Sequence, residues 1–208
     1  MGSKQLTVNS EQKALRLSCF TVGYNILEGL VSVAAGVWAG SIALVGFGLD
    51  SFIESLSGSV MIWRFRNSGK RSDEEKEAIE RKAVRLVAYS FFILAGYVFC
   101  ESVKKLWLQE PVDPSLLGII VAVISLVVMP ALFFLKYRLG KSMGSRSLVA
   151  DSKETLACMM LSAALLLGLG ANYLFGFWQA DPLAGLVIVA LLVKEGIHIL
   201  KEEALCNC

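Results

Sequence analysis

Long apolar runs separated by short charged segments dominate the 208-residue chain. A helix needs about 20 apolar residues to cross ~30 Å of hydrocarbon. Six runs meet that length: residues 15–38, 41–65, 84–107, 115–135, 147–175 and 181–201. Composition agrees. Hydrophobic residues make up 55% of the chain and mean hydropathy is +0.62, where a soluble domain is roughly 45–50% apolar. The expected fold class is therefore an all-α membrane protein. It would have an N-terminal segment 1–14, a six-transmembrane-helix bundle over 15–203, and a short Cys-containing tail, 204–208. The opening "MGSKQLTVNSEQKALRLS" has no signal-peptide core.

Basic residues orient the bundle, because loops on the cytoplasmic side collect Lys and Arg. Lys4, Lys13 and Arg16 precede the first run. Arg64, Arg66, Lys70, Arg71, Lys76, Arg81, Lys82 and Arg85 join the second to the third. Lys136, Arg138, Lys141 and Arg146 form a basic loop between the fourth and fifth. The opposite connections, "AGS", "QEPVDPS" and "GFWQAD", carry almost none. Both termini are expected in the cytoplasm, with the chain in a bacterial cytoplasmic membrane. Trp107 and Trp178 fall at the outer boundary and Trp63 near the inner one, where amphipathic rings settle.

Other classes find little support. No basic stripe with interleaved aromatics points to nucleic acid. Neither a nucleophile–base pair nor a nucleotide-binding loop is legible, so an enzyme is not expected. Cys19, Cys100 and Cys158 lie in or beside apolar runs and Cys206 and Cys208 close the chain, which is no disulfide framework. The "CNC" end is either a soft-metal hook or a frayed tail.

The second run contains "GLDSFIESLSGS", with Asp50 and Glu54 one helical turn apart. Residues i and i+4 share a face. The fifth run contains "ADSKETLAC". Glu154 and Cys158 repeat that spacing, and Asp151 lies one turn nearer the cytoplasm. A charge at mid-bilayer costs at least ~2.5–3.5 kcal/mol, so these groups need a compensating partner. Two helices that each present two donors, Asp50 with Glu54 and Glu154 with Cys158, can enclose one four-coordinate cation. Oxygen with thiolate suits Zn²⁺ or Cd²⁺. The competing reading is that the acids pair with Lys or Arg inside the bundle. Against it, the second run has no basic residue before Arg64, and Lys153 alone stands beside the set in the fifth.

The motifs also resemble a family. "GSIALVGFGLDSFIES" is similar to the second span of the cation diffusion facilitators, which show Gly-Ser-x-Ala-Leu followed by Asp-Ser-x-x-Asp. "SLVADSKETLAC" resembles their fifth span, where Ala-Asp-x-x-His-x-x-x-Asp is usual. "ADPLAGLVIVALLVKEG" resembles the sixth. The resemblance implies that Asp50 and Glu54 fill the second-span ligand positions. Glu154 stands where the family's His is usual and Cys158 where its second Asp is usual. The only His, His198, falls late in the sixth run and reads as a surface or packing residue. The chain resembles short, membrane-only members without the cytoplasmic C-terminal domain.

Remaining polar residues divide as follows. Asn25 and Glu28, i and i+3 in the first run, face either the same cavity or a neighbouring helix. Glu101 and Glu195 read as snorkelling or paired near span ends. Asp181 before Pro182 reads as a helix N-cap with Pro at N1. "SDEEKEAIERK" reads as a solvated helical extension. The expected activity is export of a divalent heavy-metal cation, Zn²⁺ or Cd²⁺, in exchange for protons by alternating access. The metal is cargo rather than cofactor, and pairing into a homodimer through the spans is expected. The alternatives are a membrane metal-binding or sensing protein that does not transport, and a small-molecule/proton antiporter built on a membrane Glu.

Overall fold

The computed structural model describes residues 2–67 and 73–205. Six helices follow in order: α1 (Gly2–Ala39), α2 (Ile42–Arg66), α3 (Asp73–Leu108), α4 (Leu116–Met143), α5 (Arg146–Phe175) and α6 (Ala180–Leu205). No strand occurs among the described residues. The first expected span is the inner part of a longer helix, since α1 is already helical at Gly2. The "SDEEKEAIERK" stretch is helical from Asp73 and runs without a break into α3.

The turns explain where helices begin. Ser41, Ser115 and Ser145 cap α2, α4 and α5; their side-chain oxygens accept from the amides of Leu44, Gly118 and Leu148 at 3.1, 3.1 and 3.4 Å. Each satisfies a backbone donor that the first helical turn leaves unpaired. Gly40, between α1 and α2, takes φ +65°, a left-handed conformation that other residues adopt at a cost. This tight turn lays α1 against α2. A Cβ added at Gly36 would meet the Val45 amide nitrogen at 2.8 Å, and one at Gly29 would meet the Gly48 carbonyl at 2.9 Å. The small residues of "AAGVWAG" therefore permit a close helix pair, as they do in membrane bundles.

α4 packs on α5 and α3 on α6, while α2 touches α1, α3, α5 and α6. α2 is thus the central element. Apolar side chains face outward: Leu27, Ile93, Val127, Phe134 and Leu167 are all exposed. Polar ones face inward, including Ser18, Thr21, Asn25, Asp50, Ser125, Asp151 and Asn172. That inversion fits a lipid solvent, and the chain is a multi-pass integral membrane protein.

Five helices contain a stretch long and apolar enough to cross a membrane: Ser10–Ala39, Arg85–Leu108, Leu116–Met143, Ser147–Phe175 and Ala180–Lys201. α2, expected as a sixth, does not reach the same hydropathy. Its length is ample, since 25 residues extend about 37 Å at 1.5 Å each. Its apolar content is diluted by Asp50, Glu54 and the serines at 51, 55, 57 and 59. It packs against four of the other helices, α1, α3, α5 and α6.

Candidate metal centre

Burial of α2 makes its polar face a matter of internal pairing. Ser55 and Ser59 return their hydroxyls to carbonyls one turn back, at 2.9 and 2.7 Å. Those groups satisfy themselves within the helix. The carboxylates have no such option. Asp50 and Glu54 are both 3% exposed, and Glu154 and Cys158 on α5 are 8% and 1% exposed. The structure brings all four expected ligands to the α2–α5 contact, but not to one point.

Asp50, Glu54 and Glu154, with Phe91 of α3 and Glu195 of α6, line a cavity with room for about one water-sized occupant. One oxygen of Glu54 and one of Glu154, Oε2 in each case, have no hydrogen-bond partner. Buried polar atoms without partners are rare and mark sites that something else completes. Cys158 does not line this cavity; its thiol faces the Asp50 and Glu54 carboxyls from α5 and packs in the main apolar cluster. Among the described residues, no three His, Cys, Asp or Glu side chains converge as one ion would require.

Glu195 lines the cavity rather than snorkelling away from it. Its signal was its register: α6 buries Ile188, Leu192 and Ile199, and position 195 falls on the same stripe.

Lys136 is the larger correction. The apolar run ends at Leu135, and the following "KYRLGKSMGSRS" predicts a loop. α4 instead continues to Met143, and Lys136 is buried in it with 0% exposure. Its ammonium lies 2.9 Å from Asp151 Oδ2 and 3.7 Å from Glu54 Oε1. It also donates to Thr155 Oγ1 at 2.9 Å, and that hydroxyl donates to Glu54 Oε1 at 2.6 Å. The acids do therefore have a basic partner inside the bundle, supplied by α4. The signal was again register. Ser125, Met129, Leu132, Lys136 and Gly140 form one buried seam, and Lys136 continues it four residues after Leu132.

A second polar cluster lies between α1 and α2. Tyr24 donates to Glu28 Oε1 at 2.8 Å and Ser51 donates to Glu28 Oε2 at 3.0 Å. Glu28 thus bonds the neighbouring helix. Asn25 is fully buried and both amide atoms lack a partner. Ser125 and Ser162 join α4 to α5 at 2.8 Å.

The other singled-out residues sit outside these clusters. Glu101 pairs with Lys104 at 3.6 Å. His198 is exposed. Asp181 does not cap its own helix, which begins at Ala180. Its carboxylate accepts from the Ile42 amide at 3.0 Å and from Ser41 Oγ. It clamps the N-terminus of α2, where the helix dipole favours a negative charge. Cys206 and Cys208 lie outside the described residues.

Comparison with known proteins places this arrangement. The model of the cation efflux transmembrane domain matches residues 20–205. Transmembrane protein 163 of Xenopus laevis is 22% identical over 197 residues, covering 93% of this chain and 68% of that protein. The cation-efflux pump FieF of Shewanella oneidensis is 26% identical over 173 residues, covering 81% of this chain and 58% of that one. The magnetosome protein MamB of Magnetospira sp. is 26% identical over 182 residues, covering 86% and 60%. The chain therefore spans about two thirds of the first relative and less than that of the other two. Because the family match runs from within α1 to the last residue of α6, through both helices that carry the buried acids, the chain belongs to the cation efflux, or cation diffusion facilitator, family.

Proposed function

We propose that the protein carries a divalent heavy-metal cation of the Zn²⁺ or Cd²⁺ kind across a cytoplasmic membrane, outward and against protons, by alternating access. The observation that carries this reading is the α2–α5 cavity. Four carboxyl side chains line it, Asp50, Glu54, Glu154 and Glu195, and two of them keep an oxygen that no protein group satisfies, in a chain of the cation efflux family.

In this reading α2 is the sixth span. Both termini lie on the cytoplasmic side, where Lys and Arg collect. Asp50, Glu54 and Glu154 supply oxygen ligands and Cys158 a thiolate. A soft sulfur ligand beside carboxylates favours Zn²⁺ and Cd²⁺ over Mg²⁺. The bundle binds the ion while open inward and reorients to open outward. Metal ligands must be deprotonated to bind, so protons entering from outside compete for the same atoms and release the ion. The protonated, nearly neutral cavity then returns at lower cost than a charged one. Two copies pair through their spans.

Uptake of radiolabelled Cd²⁺ or Zn²⁺ into proteoliposomes tests the reading. The native chain is expected to show time-dependent uptake, driven by a proton gradient, and Asp50→Ala to show none while still inserting. Metal binding without time-dependent uptake would instead identify a non-transporting metal-binding protein. Unimpaired uptake by Asp50→Ala would remove the cavity from the mechanism.

A further inference from the structure

Lys136 is the one basic side chain fully buried among the described residues. A buried ammonium is costly unless its donors are used, and this one reaches three acceptors. They are not equivalent. Asp151 Oδ2 stands at 2.9 Å, while Glu54 Oε1 stands at 3.7 Å, with the Thr155 hydroxyl bonded to both partners. Asp151 is the anchor and Glu54 the looser contact. Glu54 is also one of the four acids lining the cavity, and its other oxygen is unpartnered. Glu154 lines the cavity beside it.

We propose that Lys136 is a tethered cation that shares Glu54 with the transported metal, holding it when the cavity is empty and surrendering it when a divalent ion enters. This rests on the metal-site reading above. An ion seated by Asp50 and Glu154 repels the ammonium, which stays on Asp151 and keeps its proton throughout. Glu54 is then free to close on the metal. On release the ammonium returns to Glu54.

Two consequences follow from charge alone. Metal and ammonium compete for the negative charge of Glu54, so metal affinity is lower than the ligands by themselves would give, and release is faster. A monovalent ion gains less from the cavity acids than a divalent one, so the tethered competitor favours divalent cargo.

The test measures Cd²⁺ binding by calorimetry to the full chain in lipid nanodiscs, for the native protein, Lys136→Met, the double variant Lys136→Met/Asp151→Asn, and Asp50→Asn. Helical content and a monodisperse elution profile check each fold. Both Lys136 variants are expected to bind Cd²⁺ about tenfold more tightly, in the range of ordinary coupling between two ligands of one site, and to turn over more slowly in proteoliposomes. Should Lys136→Met lose its fold, the double variant, which removes both members of the ion pair, carries the measurement. Unchanged or weaker Cd²⁺ binding in the Lys136 variants, with binding lost in Asp50→Asn, would overturn the proposal alone and leave Lys136 as a clamp between helices. Native-like binding by Asp50→Asn would overturn the metal site itself, and the proposal with it.

Discussion

The buried carboxyl that α1 packs against α2 and those at the α2–α5 contact differ in how completely the protein satisfies them. On the α1 side, Glu28 is 5% exposed and both of its oxygens accept a hydroxyl, from Tyr24 at 2.8 Å and Ser51 at 3.0 Å. On the α5 side, Glu154 and Glu54 each keep an unpartnered oxygen beside a cavity. Burial and charge type are alike in the two places. A fully bonded carboxyl fixes helices in register, and no further ligand is needed to explain it. A partly bonded one in a cavity is held open for something that comes and goes. The difference argues for cargo at the α2–α5 contact and for a structural joint between α1 and α2.

The largest effect should come from the open side. Glu154→Gln keeps the shape and removes one charge and one oxygen ligand. Cd²⁺ affinity is expected to fall by on the order of 10²-fold, at or beyond the 10–100-fold lost when a mere supporting partner of a metal ligand is removed. Calorimetry on the reconstituted protein reads it. A loss of less than threefold would place Glu154 with Glu28 among the structural acids and erase the contrast.

Cys158 sharpens the comparison because it belongs wholly to neither side. It packs in the apolar cluster and does not line the cavity, yet its thiol faces Asp50 and Glu54. Cys158→Ser exchanges a soft donor for a hard one. Cd²⁺ affinity is expected to drop about tenfold while Mn²⁺ affinity holds or rises, following ligand softness. Equal changes for both metals would make the thiol a packing group.

How much of this the sequence discloses depends on where the signal is carried. The helices are plain in it, because lipid demands long apolar runs. The structure begins α2 within a residue of its expected start, at Ile42, and ends α5 at Phe175 as expected. Asp50, Glu54 and Glu154 stand out because carboxylates are conspicuous in such runs. Lys136 does not, since it lies at the edge of one. Local hydropathy reads a Lys followed by Tyr-Arg as a loop, whereas the seam through Met129, Leu132 and Gly140 keeps it inside the bundle. Asp181 fails differently. Its local pattern, Asp before Pro, names the right role but the wrong helix, because the free amides it finds belong to α2, 139 residues away. Long-range pairings of that kind leave no trace in local spacing.

The closed side should yield the smallest effect on metal and the clearest one on the fold. Glu28→Gln preserves shape but turns an acceptor of two hydroxyls into a group with one acceptor oxygen and two donors. One hydroxyl, Tyr24 or Ser51, then loses its carboxyl partner, and a buried polar group left without its partner costs about 1–3 kcal/mol. Thermal unfolding in detergent should therefore begin several degrees lower, while Cd²⁺ affinity stays within about threefold, the range left when coupling between sites is absent or weak. Ser51→Ala gives a milder version, since it removes one of the two hydroxyls and leaves the carboxyl in place. The comparison breaks if Glu28→Gln abolishes Cd²⁺ binding at unchanged stability. Glu28 would then act on the cargo through Ser51 or directly, and a carboxyl satisfied in the empty protein would have to open when metal arrives. If stability alone shifts, a bonded acid and an orphaned acid packed along one helix have been assigned opposite tasks by their hydrogen bonds.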